Sequence, residues 1–90
     1  MKLQWTEQGW DDYLHWQSHD TEMVQRIHRL LGIASQTPRL GPGKPQRLLD
    51  GGSGWYSRRL FREHRLIYRV TGKGDAQALE IAACRFHYGR

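Results

Sequence analysis

His64-Arg65-Leu66-Ile67-Tyr68-Arg69-Val70 alternates cleanly, with Leu66, Tyr68 and Val70 in one row and Arg65, Ile67 and Arg69 in the other. A period of two with one apolar row and one largely cationic row is the mark of an antiparallel strand half in contact with water. Such a strand belongs to a sheet covered on one side only, and it turns Arg65 towards the open side. The cover lies upstream. Met23, Val24, Ile27, Leu30, Leu31 and Ala34 recur at the spacing of one helical face, while Gln25, Arg26, His28 and Arg29 take the solvent side.

The remaining elements follow from the breaks between these two. Met1 to Trp5 reads as a short first strand, and Thr6 caps a helix on which Trp10, Tyr13 and Leu14 recur through about Gln17. Ser18-His19-Asp20-Thr21 ends that helix and caps the next. Thr37 to Pro45 holds Pro38, Gly41, Pro42, Gly43 and Pro45 and is a loop. A strand is expected from about Gln46 to Leu49, a hairpin turn over Asp50 to Gly54, and a strand from Trp55 to Phe61. Thr71 to Asp75 is a glycine-rich turn. Leu79 to Phe86, apolar on both faces, suits a central strand. The expectation is a single α+β domain of order β-α-α-β-β-β-β, two N-terminal helices packed on a mainly antiparallel sheet.

Composition narrows the function. Ninety residues bury roughly 60–65% of their unfolded surface, which gives a modest core. A net charge of +5 points to polyanionic partners, whether nucleic acid, an acidic protein or both, and from charge alone a merely basic surface fits equally well. One cysteine, Cys84, excludes an internal disulfide and a multi-cysteine zinc site, and its apolar surroundings make it a buried small hydrophobe. No cofactor or metal motif is present: His15, His19 and His28 lack paired spacing and read as surface residues, and Gly41 to Lys44 is too short for a Walker loop. No apolar run reaches membrane-spanning length and the N-terminus lacks a signal-peptide core, so a cytoplasmic protein without membrane contact is expected.

Trp55 to Arg69 carries Arg58, Arg59, Arg62, Arg65 and Arg69, and Arg85-Phe86-His87-Tyr88 follows near the C-terminus. Guanidinium forks bind phosphate oxygens bidentately at every relevant pH. A histidine adds a proton that titrates near neutrality, and a tyrosine adds a stacking surface or hydroxyl. Those are parts for cutting RNA without a metal (Arg65 to clamp the transition state, His87 to protonate the leaving oxygen, Tyr88 to stack or donate), and the residues alone fit a solvated strand face and a solvated histidine equally well.

Together with Trp10-Asp11-Asp12-Tyr13-Leu14, Trp16, Gly43-Lys44-Pro45, Ser53-Gly54, Ser57-Arg58-Arg59, Glu63-His64-Arg65-Leu66, Tyr68, Ala82-Ala83-Cys84-Arg85 and His87-Tyr88, this constellation resembles the YoeB branch of the RelE-type toxins of bacterial toxin–antitoxin systems. The match is collinear over nearly the whole chain. The resemblance implies a compact microbial-ribonuclease-like fold and a toxin that enters the ribosomal A site and cuts messenger RNA there by attack of the 2′-OH. It implies a YefM-like antitoxin that wraps the toxin, and a tendency to form homodimers. By position it makes Arg65 the transition-state arginine, His87 the general acid and Tyr88 the terminal tyrosine. Glu63 becomes a carboxylate orienting Arg65 or another group, and Lys44, Arg58 and Arg59 become RNA-binding cations.

Two positions depart from that family. Its general base is a glutamate directly after Gly-Lys-Pro, and here Gln46 stands in its place. An amide keeps the shape but offers no carboxylate for a proton. Cleavage is then weakened, or, if Gln46 is not the weak link, Glu63, Asp50 or a ribosomal group supplies the base, or the chain is a catalytically silent protein that binds ribosome or antitoxin. A binder of free RNA that needs no acid at all is a third reading. At Leu49, relatives carry a lysine, which removes one cationic contact, and Gly89-Arg90 extends past the terminal tyrosine.

Overall fold

The computed structural model describes residues 1–48 and 54–86. Strand β1 (Lys2–Trp5) leads into helices α1 (Glu7–His19) and α2 (Thr21–Gln36), followed by β2 (Gln46–Arg47), β3 (Tyr56–Phe61), β4 (His64–Thr71) and β5 (Ala78–Ala83). The expected order holds. The five strands form one mixed sheet in the order β1-β5-β4-β3-β2, antiparallel throughout except that β1 runs parallel to β5. The turn expected at Asp50 and the residue Leu49 lie outside the described residues.

Both helix starts form as their sequences predict. The Thr6 hydroxyl accepts from Gly9 N–H at 3.1 Å, and the Asp20 carboxylate accepts from Met23 N–H at 3.1 Å, each satisfying a first-turn donor. Helix α1 runs on to His19, two residues past its expected end. On α2, Met23, Ile27, Leu30, Leu31 and Ala34 are buried as their spacing requires, and Val24 packs at the margin. They meet Leu60, Leu66, Tyr68, Leu79 and Ile81 from the covered face of the sheet, which forms the core.

Helix α1 corrects the sequence reading. Trp10 and Leu14 stay exposed, while Gly9, Asp12, Tyr13 and Trp16 face the sheet. A buried aspartate is tolerable because its oxygens are occupied: Oδ2 accepts from Cys84 N–H at 3.0 Å and Oδ1 from the Gln8 amide at 2.8 Å. Trp16 adds a bond from Nε1 to the Cys84 carbonyl at 2.8 Å. Polar bonding to the end of β5 overrides simple apolar periodicity. Cys84 is fully buried, as expected. Strand β4 also departs from pure alternation. Ile67 is buried on the face opposite the core, between its register neighbours Ser57 and Ala83, beside a register shift at Ile67/Tyr68.

Gly9 lets α1 approach β5 at backbone distance, since a Cβ there would stand 2.4 Å from the Ile81 carbonyl oxygen. Gly32 on α2 has nothing within 4 Å of its added Cβ. Gly9→Ala is therefore expected to lower unfolding free energy by roughly 1–3 kcal/mol. Gly32→Ala is expected to raise it by about 0.5–1 kcal/mol through helix propensity. Urea denaturation of the two variants measures both signs.

Candidate functional site

The loop after α2 is fixed from below by an arginine. Arg58 on β3 is fully buried. Its Nη1 donates to the Pro42 carbonyl at 2.9 Å and its Nη2 to the Thr37 carbonyl at 2.9 Å. Nε and Nη2 also reach the Tyr68 hydroxyl at 3.3 and 3.2 Å, and that hydroxyl donates to the Pro38 carbonyl. Burial pushes the Tyr68 phenol above its ordinary pKa, with the bonds from Arg58 pulling the other way. The expectation that Arg58 contacts RNA is thus corrected. Its planar fork is engaged by the Pro42 and Thr37 carbonyls and the Tyr68 hydroxyl, and it has no exposed surface for a ligand.

The segment held by Arg58 presents the candidate site. Gly43 sits at φ +85°, and a Cβ on it would approach Arg58 Cγ to 2.5 Å and the Arg59 carbonyl oxygen to 2.8 Å. Its carbonyl accepts from Arg59 N–H at 2.8 Å, joining loop to strand. Lys44 follows at φ +47°, and Gln46 pairs with Ser57 across β2 and β3. Gly43, Lys44, Gln46, Arg59 and Arg65 line one small concavity of about 60 Å³. Four of the sequence-derived candidates, from three separated segments, are therefore brought together.

Arg65 lies on the face opposite Leu66, as its alternation requires, and pairs in register with Arg59. Its guanidinium reaches over β3: Nε donates to the Ser57 hydroxyl and Nη2 to the Ser57 carbonyl at 3.2 Å. Partial burial, then the neighbouring Arg59 charge, depress its pKa from the ordinary arginine value. A guanidinium so placed remains charged at neutral pH and gains from an anion set between the two arginines. Ser57 entered the sequence reading only within the Ser57-Arg58-Arg59 stretch of the resemblance and was given no role there.

Glu63 does not orient Arg65. It is exposed and its Oε1 lies 3.4 Å from His64 Nε2. The other ring nitrogen, Nδ1, accepts from Phe86 N–H at 2.8 Å, while the Phe86 carbonyl accepts from Arg65 N–H at 3.1 Å. The chain just before His87 is therefore bonded to the residue before Arg65 and to Arg65 itself. His87 and Tyr88 lie outside the described residues. Among the described residues no cluster of three or more His, Cys, Asp or Glu could hold a metal. No helix among them is long and apolar enough to cross a membrane.

Arg58→Met should cost roughly 2–5 kcal/mol, because it removes the buried charge-assisted bonds to the Pro42 and Thr37 carbonyls and leaves Thr37 only the longer bond from Leu40 N–H. Arg59→Met, which keeps the backbone bond to Gly43, should change stability by no more than about 0.5 kcal/mol. Thermal denaturation monitored by circular dichroism compares the two.

A profile of YoeB-like toxins of bacterial type II toxin–antitoxin systems matches residues 5–88. The Escherichia coli K12 toxin YoeB is 49% identical over 88 residues, covering 98% of this chain and all of that one. A YoeB/ParE toxin from Agrobacterium tumefaciens superposes with a TM-score of 0.91 at 50% identity, over 98% of this chain and all of its own. The Staphylococcus aureus YoeB, solved as a dimer and in a heterotetrameric complex with YefM, superposes at TM-scores of 0.84 and 0.82. Identity is 35% and 36%, over 98% of each chain. Fold, full-length identity and profile agree that the chain belongs to the YoeB-like toxins of type II toxin–antitoxin systems.

Proposed function

We propose that this toxin is a metal-independent endoribonuclease that cuts messenger RNA in the ribosomal A site and so stops translation. The observation that carries the proposal is the convergence of Gln46, Lys44, Arg59 and Arg65 on one concavity. In the reaction, the ribose 2′-oxygen attacks the adjacent phosphorus, the bond from phosphorus to the 5′-oxygen breaks, and a 2′,3′-cyclic phosphate and a 5′-OH result. Arg65, fixed by Ser57 and crowded by Arg59, neutralises the phosphorane-like oxygens as charge accumulates. Lys44 and Arg59 hold the flanking phosphates. His87 supplies the proton to the 5′-oxygen and Tyr88 stacks on a base or lends its hydroxyl.

Gln46 occupies the position from which a base would act. Its amide oxygen accepts the hydrogen bond of the 2′-OH and orients it, but does not take the proton, which passes to another acceptor. The consequence is attenuated cleavage. A second reading, a silent protein that occupies ribosome or antitoxin without cutting, is favoured by the same amide, exposed on β2 with no carboxylate among the described residues lining the concavity. In either case the partners are a YefM-like antitoxin, acidic against this basic surface, and a second copy of the chain, in the cytoplasm.

Gln46→Glu is expected to raise A-site cleavage, read by primer extension on ribosome-bound messenger, by roughly 10²–10⁴-fold, with a matching gain in growth inhibition. Arg65→Ala in that background should remove the gain. Unchanged cleavage in Gln46→Glu, with the parent protein co-sedimenting with ribosomes on intact messenger, would establish the silent reading instead.

A further inference from the structure

Beside the candidate site lies a second, larger hollow of about 210 Å³, between α2 and the start of the Gly43 loop. Its charged lining is Arg26, Arg29 and Arg59, and its described lining contains no carboxylate. Arg26 and Arg29 are three apart on α2 and so share a helix face. Arg26 is not a loose surface side chain: its guanidinium sits 4.5 Å from the centre of the Phe61 ring. Phe61 is exposed at the end of β3, beside a register shift, and Arg62, at φ +54°, reaches the same ring at 5.2 Å. Stacking of this kind fixes the plane of a guanidinium while leaving its N–H edge available. Gly43 and Arg59 line both hollows, so the two adjoin.

Three like charges around one hollow repel one another unless an anion occupies it, and forked donors select phosphate oxygens. We infer that this hollow is a second phosphate subsite, in which Arg26, Arg29 and Arg59 hold the backbone of the same RNA strand that lies over Arg65. The inference rests on the proposed RNA chemistry of the Arg65 site and adds a direction to it. The strand leaves that site across Gly43 and runs along α2. Arg59 serves both subsites, which sets the register between them.

The test is fluorescence anisotropy with a labelled single-stranded RNA oligonucleotide and with a dinucleotide, over a range of salt. Arg26→Gln/Arg29→Gln should bind the long RNA roughly tenfold or more weakly. Its slope of log affinity against log salt should be shallower by about 1.4, because two phosphates of a single strand are no longer neutralised. Dinucleotide binding should be unaltered, and Arg26→Lys/Arg29→Lys should restore most of the slope. Unchanged slope and affinity for the long RNA in the glutamine variant would overturn the subsite. So would an equal loss for the dinucleotide, or a loss seen only for an acidic peptide such as polyglutamate. Arg65→Gln, measured in parallel, separates the two readings. If it weakens both RNAs while the helix variant changes nothing, the Arg65 site stands and the subsite falls. If only the helix variant weakens RNA, the Arg65 reading falls and the strand continuity with it.

Discussion

A buried guanidinium without exposed surface holds this molecule's working face in place. Arg58 is taken from water, and the loss of hydration is offset by carbonyl oxygens of Thr37 and Pro42 and by the Tyr68 hydroxyl. Those carbonyls belong to a proline- and glycine-rich segment that makes little regular structure of its own. Without the arginine, the segment would keep the Tyr68 bond to Pro38, the Gly43 to Arg59 backbone bond and short strand pairing to locate it on the sheet. With it, Lys44 and Gln46 acquire fixed positions beside Arg59 and Arg65. An arginine expected from the sequence to contact RNA is instead the brace beneath the candidate site.

A similar division of labour operates at the other end of the chain. Asp12 and Trp16 on α1 grip the amide and carbonyl of Cys84, and Gly9 allows the helix to come close enough for them to do so. Beyond Cys84, Phe86 is bonded to His64 and to Arg65 N–H. The residues leading to His87 are thus positioned by polar bonds from two different elements rather than by strand pairing. A rigid sheet with supports of this kind suits chemistry in which reacting groups must be held close to their productive geometry.

The sequence disclosed the architecture because periodicity carried it: α2's stripe, β4's alternation and both N-caps appear where residue patterns place them. It misled at Trp10 and Leu14, since the apolar spacing on α1 is outweighed by hydrogen bonds that only the folded partner, Cys84, can supply. Arg65 was legible as an outward-facing cation. Arg58 was not separable from Arg59 by residue type, although strand alternation puts adjacent residues on opposite faces. Ser57 carried little signal because its role depends on a side chain arriving from the neighbouring strand. Glu63 was legible as a carboxylate near the site, but its partner proved to be His64.

The parallel pairing of β1 with β5 has a kinetic meaning. Residues 2–5 find their strand neighbours at 78–81, and α1 finds its polar anchors at residue 84, so native pairings span most of the chain. Closing loops of that length comes late in folding, and topologies dominated by distant pairings fold slowly. During synthesis the first strand lacks its partner, and α1 its polar anchors, until β5 and Cys84 have been made.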